Sequence, residues 1–149
     1  MDTVNKTIRS KIMAKVGQKN TGPEKKLRKV LHGIGLRYRL HDKKLPGSPD
    51  IVFPRFKAVL FVHGCFWHRH GCKATTTPGD NAEFWSKKFE ENQVRDQRNI
   101  DSLLKCGWRV MVVWECVLKD KKTDVGLIAT AVRDWLKTDD KLRYIPASY

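Results

Sequence analysis

The chain has 149 residues, 40% apolar and 31% charged, which is enough for a single globular domain with a buried core. No apolar run approaches the ~20 residues that span a bilayer, and residues 1–30 lack the apolar core of a signal peptide. We therefore expect a cytoplasmic monomer that has no membrane partner. The formal net charge of +14 favours nucleic acid as the partner, with a merely solvated basic surface or anionic lipid as alternatives.

The positive charge is concentrated at the start of the chain. Residues 1–49 contain 13 Lys/Arg and 3 Asp/Glu, which leaves only +4 for the rest. Clustered cations bind polyanions by releasing condensed counterions from the phosphates. We interpret residues 1–20 as a basic N-terminal arm that binds DNA. The arm is either disordered until it binds, or a helix with one apolar face formed by Ile8, Ile12, Met13 and Val16.

Hydrophobic periodicity predicts seven elements in the order α-β-β-β-α-β-α. A capping-box pattern, Thr21-Gly22-Pro23-Glu24, begins a helix that ends at Gly33. Residues 58–62 are apolar on both faces, which is typical of a central strand. The other predicted elements are strands at 36–40, 50–53 and 108–114 and helices at 82–105 and 127–136.

Two polar residues interrupt the apolar face of the long predicted helix. Asn92 and Asp96 occupy positions at which a core helix would be apolar. The interruption indicates either a polar cleft or a helix end that leaves the core.

A dense run of thiols and imidazoles follows the central strand. Zinc prefers these ligands, and four of them close a tetrahedral shell without an open position for water. The candidate ligands of such a structural zinc site are Cys65, His70, Cys72 and Cys116. Cys116 can join only if the strand before it lies beside the central strand. Buried free cysteines are the alternative, and Cys106, which has no partner in this scheme, is expected in the core.

Three residues near the same run are candidates for chemistry. Asp50 follows a Pro-rich turn and begins a strand, where its carboxylate can hold Mg²⁺ or merely cap the turn. His63 and His68 flank Cys65, and either imidazole can act as a general acid or base. The alternative is that they support the zinc shell through hydrogen bonds.

Large aromatic residues lie close to these groups. On a basic protein, exposed rings suggest a wedge that inserts between base pairs and unstacks them. The candidates are Phe66, Trp67 and Trp85. A place in the core is equally consistent with the sequence.

Taken together, these motifs resemble the very short patch repair (Vsr) DNA mismatch endonucleases. The resemblance runs from about residue 9 to residue 116. The motifs that carry it are Pro49-Asp50, Phe61-Val62-His63-Gly64-Cys65-Phe66-Trp67-His68, Glu83-Phe84-Trp85, Asn92, Arg95-Asp96, Gly107-Trp108-Arg109-Val110 and Val113-Trp114-Glu115-Cys116. It implies a single α/β domain of the restriction-endonuclease-like class, with a central mixed sheet flanked by helices. It also implies a Mg²⁺-dependent enzyme that nicks double-stranded DNA 5′ to the thymine of a T:G mismatch, the product of 5-methylcytosine deamination.

The resemblance also implies roles for individual residues. Asp50 and the carbonyl of Val62 would hold Mg²⁺, and His68 would move the proton of the attacking water, with His63 and Glu24 in support. Enzymes of this fold usually place an acid-x-Lys pair at the end of the third strand, where this chain and the Vsr family have Phe and His instead. The intercalating residues would be Phe66, Trp67 and Trp85, and the mismatch-sensing residues Met13, Lys88 and Asn92.

We therefore expect an endonuclease domain at residues 21–137, between the arm at 1–20 and a C-terminal tail at 138–149. Repair-machinery proteins are possible further partners. Two alternatives remain. One is a related nicking or restriction-type endonuclease with another sequence or mismatch specificity. The other is a non-catalytic, zinc-stabilised DNA-binding module, which would need no Asp50, His63 and His68 together.

Overall fold

The computed structural model describes residues 22–64 and 81–146. Within these ranges the chain alternates helices and strands in an α/β arrangement. The helices are α1 (Gly22–Gly33), α2 (Ala82–Lys105), α3 (Glu115–Lys119) and α4 (Val125–Leu136), with a 3-10 turn at Pro54–Phe56. The strands are β1 (Arg39–Leu40), β2 (Ile51–Phe53), β3 (Ala58–His63), β4 (Arg109–Trp114) and β5 (Leu142–Ile145).

The described strands form one mixed sheet in the order β1-β2-β3-β4-β5. β1, β2 and β3 are antiparallel neighbours, whereas β4 and β5 run parallel to β3. Because β3 and β4 are parallel and adjacent, both end at the same edge of the sheet, where His63 pairs with Trp114. The segments that follow β3 and β4 therefore start next to each other.

Alternating side chains divide the core between the two faces of the sheet. On one face, Ile51, Leu60 and Met111 pack with residues of α1, α3 and α4, including Leu27, Leu118 and Trp135. On the other face, the alternate residues Val52, Val59, Phe61, Val110 and Val112 pack against Ile100 and Leu103 of α2. The sheet is thus covered by helices on both sides.

The expected α/β class, with a central mixed sheet flanked by helices, is confirmed. The long helix has the predicted bounds, and the apolar run at 58–62 forms the middle strand. α3 and β5 were not predicted, and β5 lies within the segment assigned to the tail. No helix within the described ranges is both long and apolar enough to cross a membrane.

Cys106 is exposed, so its expected place in the core is wrong. The residue is the C-cap of α2, where the helix ends before Gly107 turns the chain with φ +84°. Leu103, three residues earlier, is the buried side chain of this last turn. The error came from assigning Cys106 by elimination from the zinc site rather than from its position on the helix.

The arginine of the Gly-Trp-Arg motif has a structural role. The guanidinium of Arg109 donates to the carbonyl oxygens of Trp135, Leu136 and Thr138 at 3.1, 2.8 and 2.9 Å, and lies 4.8 Å from the ring centroid of Trp135. A fourth hydrogen bond from the guanidinium reaches the carbonyl of Phe56 at 3.4 Å. Arg109 therefore ties the C-terminal end of α4 to the start of β4.

We expect Arg109→Met to lower the free energy of unfolding by about 2–3 kcal/mol, because several carbonyls at a helix end lose a charged donor together. Urea unfolding followed by circular dichroism measures the loss. Arg143→Met is the matched control on the neighbouring strand β5, since its ion pair with Asp140 is largely solvated and contributes less than about 1 kcal/mol. Equal stability losses in the two variants would contradict the assigned role of Arg109.

Candidate active site

Asp50 lies directly before β2, at the sheet edge where β3 ends. Its side chain is almost fully buried, with 7% of the residue exposed. The backbone N–H of Val62 donates to Oδ2 of Asp50 at 2.7 Å, which fixes the carboxylate against the neighbouring strand. This bond joins two strands, so Asp50 does more than cap its own turn.

A second buried carboxylate approaches the same place from α1. Glu24 lies in the first turn of that helix and is 1% exposed. Its Oε2 accepts a hydrogen bond from Nη1 of Arg28, one turn later, at 2.8 Å. The Arg28 contact and the burial together hold the carboxylate in one orientation.

An imidazole lies between the two carboxylates. Nε2 of His41 is 3.1 Å from both carboxylate oxygens of Glu24 and 4.0 Å from Oδ1 of Asp50. One ligand atom from each of the three residues can be chosen so that all lie within 4.8 Å of one another. Glu24, His41 and Asp50 therefore form a candidate divalent-metal site, which we call the acid–histidine cluster.

The strand pairing explains why His41 is there. β1 and β2 are antiparallel, and their register continues by one residue, so that the N–H of His41 donates to the carbonyl of Asp50 at 3.1 Å. His41 has φ +49°, a left-handed conformation that leaves the strand direction. Sequence reasoning missed this residue. The antiparallel pairing of the strands that flank the Pro-Gly turn was the signal that would have located it.

His63 ends β3 at the same sheet edge and is 7% exposed. Its ring centroid is 5.4 Å from that of Phe61 and 5.4 Å from that of Trp114. Two aromatic neighbours restrict the orientation of the imidazole. The Val62 carbonyl, expected to bind the metal, belongs to the residue whose N–H holds Asp50.

The expected contact residues on α2 have different environments. Trp85 is half-buried and stacks on Phe89 with a centroid distance of 5.8 Å, whereas Lys88 is exposed. Asn92 is 6% exposed, so the helix does not leave the core at that point. Asp96 and Asp101, later in α2, affect Tyr144 of β5. Burial raises the pKa of Tyr144, and these two carboxylates raise it further.

Of the four expected zinc ligands, Cys116 is described. It lies half-buried in the first turn of α3, two residues after β4 ends. Because β3 and β4 end side by side, Cys116 lies close to the end of β3, which the Cys/His run follows in the sequence. The other expected ligands, Cys65, His70 and Cys72, lie outside the described residues, as do Met13, Phe66, Trp67 and His68.

Buried carboxylates and imidazoles at one edge of a mixed sheet, in a strongly basic chain, define a candidate metal-dependent hydrolase for an anionic polymer. Comparison with known proteins identifies the family. Residues 1–74 match the model of the family described as DNA mismatch endonuclease Vsr. The chain belongs to this family.

Curated relatives cover nearly the whole chain. The type II nicking enzyme V.XorIIP of Xanthomonas oryzae pv. oryzae is 53% identical over 135 residues, which span 91% of this chain and 96% of the relative. The DNA mismatch endonuclease Vsr of Escherichia coli is 42% identical, with 91% and 87% covered. The type II nicking enzyme V.NmeAIP of Neisseria meningitidis is 45% identical, with 80% and 86% covered. The resemblance found in the sequence and the prediction of an endonuclease are confirmed.

Proposed function

We propose that the protein is a divalent-metal-dependent endonuclease of restriction-endonuclease-like fold that nicks one strand of double-stranded DNA. Its target is the phosphodiester bond 5′ to the thymine of a T:G mismatch. The observation that carries this proposal is the convergence of buried Asp50 and Glu24 at the edge where β3 ends, in a chain of the mismatch endonuclease family. We also propose that it acts as a monomer in the bacterial cytoplasm, where repair proteins can follow it.

The residues at this edge fit a hard divalent cation. Asp50 would hold Mg²⁺ together with the carbonyl of Val62, and a cation there neutralises negative charge that develops on the phosphate. The N–H of Val62 fixes Oδ2 of Asp50, so the carboxylate is oriented before substrate binds. Glu24, held by Arg28, supports the same site.

The histidines would carry out the proton transfer. His68 would take the proton from the attacking water, and His63, held between two aromatic rings, would support it. The leaving oxygen of the broken P–O bond becomes the 3′-hydroxyl when it gains a proton, and the attacked phosphorus stays on the 5′ side of the thymine. The nick therefore has 3′-hydroxyl and 5′-phosphate ends.

Binding to DNA begins with the basic N-terminal part. The arm at residues 1–20 would grip the minor groove. Lys25, Lys26 and Lys29 on the exposed side of α1 continue the positive surface. Phosphate contacts of this kind supply affinity without sequence information and weaken as salt rises.

Selection of the mismatch would come from the aromatic wedge and from polar side chains near it. The proposed wedge residues are Phe66, Trp67 and Trp85. Unstacking is least costly where pairing is already imperfect, so a wedge favours the mismatch over a matched pair. Met13, Lys88 and Asn92 would sense the wobble pair.

We further propose that one structural Zn²⁺ connects the segment after β3 to α3. Its ligands would be Cys65, His70, Cys72 and Cys116. The parallel pairing of β3 with β4 supports this proposal, because it places the start of α3 beside the end of β3. A closed shell of four protein ligands has no position for substrate, so this metal would be separate from the acid–histidine cluster.

Incubating the protein with Mg²⁺ and end-labelled duplexes tests the proposed function. The duplexes carry T:G, A:C or a matched pair in varied flanking sequences. We expect one nick, on the thymine strand of the T:G duplexes. Equal cleavage of matched DNA would instead favour a restriction-type endonuclease, the alternative suggested by the relatives described as type II nicking enzymes. Binding without cleavage would favour a DNA-binding module.

We expect Trp85→Ala to weaken binding to the T:G duplex by about tenfold or more, since stacking of one ring on a base is worth about 1–3 kcal/mol. Binding to matched DNA should change little. Phe84→Ala is the matched control, because this adjacent ring is 57% exposed on the same helix. Gel-shift titrations measure both affinities. Because Trp85 stacks on Phe89, circular dichroism must first show that the variant is folded. A folded Trp85→Ala protein with unchanged mismatch preference would exclude intercalation by this residue.

A further inference from the structure

His41 is the residue of the acid–histidine cluster to which the proposed mechanism gives no role. Its side chain is 15% exposed, slightly more than those of Glu24 at 2% and Asp50 at 10%. The imidazole is thus mostly buried together with the two carboxylates, and ligand atoms of the three residues lie within 4.8 Å of one another. Its backbone N–H donates to the carbonyl of Asp50, which fixes the backbone of His41 beside β2.

The spacing of the three groups matches that of ligands around one cation. With metal–ligand bonds of about 2.1 Å, octahedral ligands lie about 3.0 Å apart when adjacent and about 4.2 Å apart when opposite. Nε2 of His41 lies 3.1 Å from Glu24 Oε2 and 4.0 Å from Asp50 Oδ1, close to these two values. We propose that Nε2 of His41 is a direct ligand of the divalent cation held by Asp50 and Glu24. This inference rests on the proposed nuclease site.

Arg28 does not prevent this arrangement. Its guanidinium contacts Oε2 of Glu24 at 2.8 Å, and a carboxylate oxygen has lone pairs for both a hydrogen bond and a metal. The contact reduces the negative charge that Glu24 offers to a cation. A neutral imidazole adds a third ligand without adding charge, and so supplements a partly neutralised carboxylate pair.

A nitrogen ligand changes which cation the site prefers. Mg²⁺ takes oxygen ligands almost exclusively, whereas Mn²⁺ accepts carboxylate oxygen and binds nitrogen more readily than Mg²⁺ does. The acid–histidine cluster should therefore bind Mn²⁺ more tightly than Mg²⁺, and His41 should be the cause of much of the difference. Mn²⁺ is also a selective probe, because thiolate ligands favour softer metals such as zinc.

The test measures Mn²⁺ binding to the full-length protein, as purified, without DNA. Free and bound Mn²⁺ are separated by electron paramagnetic resonance, and Mg²⁺ affinity is obtained by competition. Pulsed measurements report whether an imidazole nitrogen couples to the bound Mn²⁺. In His41→Gln we expect Mn²⁺ affinity to fall by about tenfold or more, Mg²⁺ affinity to stay nearly unchanged, and the nitrogen coupling to disappear. Glutamine can still donate a hydrogen bond to Glu24, so this variant removes the nitrogen ligand and keeps the donor.

His32→Gln is the matched control, since this exposed histidine lies in the last turn of α1, whereas Glu24 lies in the first turn. It should keep wild-type Mn²⁺ affinity and nitrogen coupling. If His41 only positions Glu24, the His41→Gln variant will lose affinity for Mn²⁺ and Mg²⁺ by the same factor, and its nitrogen signal, present or absent, will be the same as in the wild type. That result, or an unchanged Mn²⁺ affinity, overturns ligation by His41.

Failure of the nuclease proposal gives a different result. Either the wild type would then not nick the T:G duplex, or Asp50→Asn would nick it at the wild-type rate, whatever Mn²⁺ does in the His41 variant. Loss of nicking in Asp50→Asn together with unaltered Mn²⁺ binding in His41→Gln would leave the nuclease proposal in place and remove only the role of His41.

Discussion

Asp50→Asn should reduce nicking of the T:G duplex by about 10³-fold or more while mismatch binding stays close to wild type. The variant keeps the shape of the side chain and an oxygen that can accept from the N–H of Val62. It removes the negative charge that would hold the cation, and losing one preorganised electrostatic group commonly costs about 10²–10³ in rate. Loss of the metal itself should lower the nicking rate further. Single-turnover nicking at saturating Mg²⁺ measures the chemical step, and gel shift measures binding.

Asp42→Asn is the matched control for this prediction. Asp42 lies in the turn between β1 and β2, where its Oδ1 accepts from the backbone N–H of Lys44 at 2.9 Å. It carries the same charge as Asp50 but contacts no residue of the acid–histidine cluster through a described bond. Asp42→Asn should nick at nearly the wild-type rate. Near-normal nicking by Asp50→Asn would contradict the proposed mechanism.

Much of the fold was predictable because the sheet is buried on both faces. Residues 58–62 contain no polar side chain, which is typical of a strand covered on both sides, and β3 is the middle strand. The helix at 82–105 was predicted with its observed bounds, because Gly107 follows its last turn. Strong local signals therefore located the central elements.

The two outer strands of the sheet, β1 and β5, were less predictable. β1 has only two residues, and β5 begins with Leu142, which is 37% exposed. A short, half-exposed edge strand shows little alternation, and its formation depends on pairing with a partner strand. Here the partner is β4, and Val110 pairs with Leu142 across more than thirty residues of chain. No local pattern contains that information.

The residues of the candidate site were likewise predictable only in part. Asp50 and Glu24 were selected because of a turn motif, a helix start and the family resemblance, and the structure brings both to His41. His41 itself carries no signal as a lone histidine after an exposed strand. Its position becomes informative only when the pairing of β1 with β2 is known. The acid–histidine cluster is thus a product of three elements that are separate in the sequence.

Cys116→Ala should lose the bound zinc and about 4 kcal/mol or more of stability. A structural zinc ion contributes its binding free energy to folding, and an open ligand position weakens that binding strongly. The effect should be large here, because α3 follows β4 directly and Leu118 of α3 is buried in the core. Releasing Cys116 therefore loosens an element that packs against α1. Metal analysis of purified protein gives the zinc content, and urea unfolding gives the stability.

Cys106→Ala provides the matched control, since Cys106 is an exposed cysteine at the end of α2. It should retain about one zinc per chain and unfold like the wild type, because its thiol is outside the proposed ligand set. A chelator should destabilise the wild type and Cys106→Ala to the level of Cys116→Ala, and should not destabilise Cys116→Ala further. Stoichiometric zinc in purified Cys116→Ala would exclude Cys116 as a ligand. A wild-type protein purified without zinc, and stable without it, would exclude the structural metal altogether.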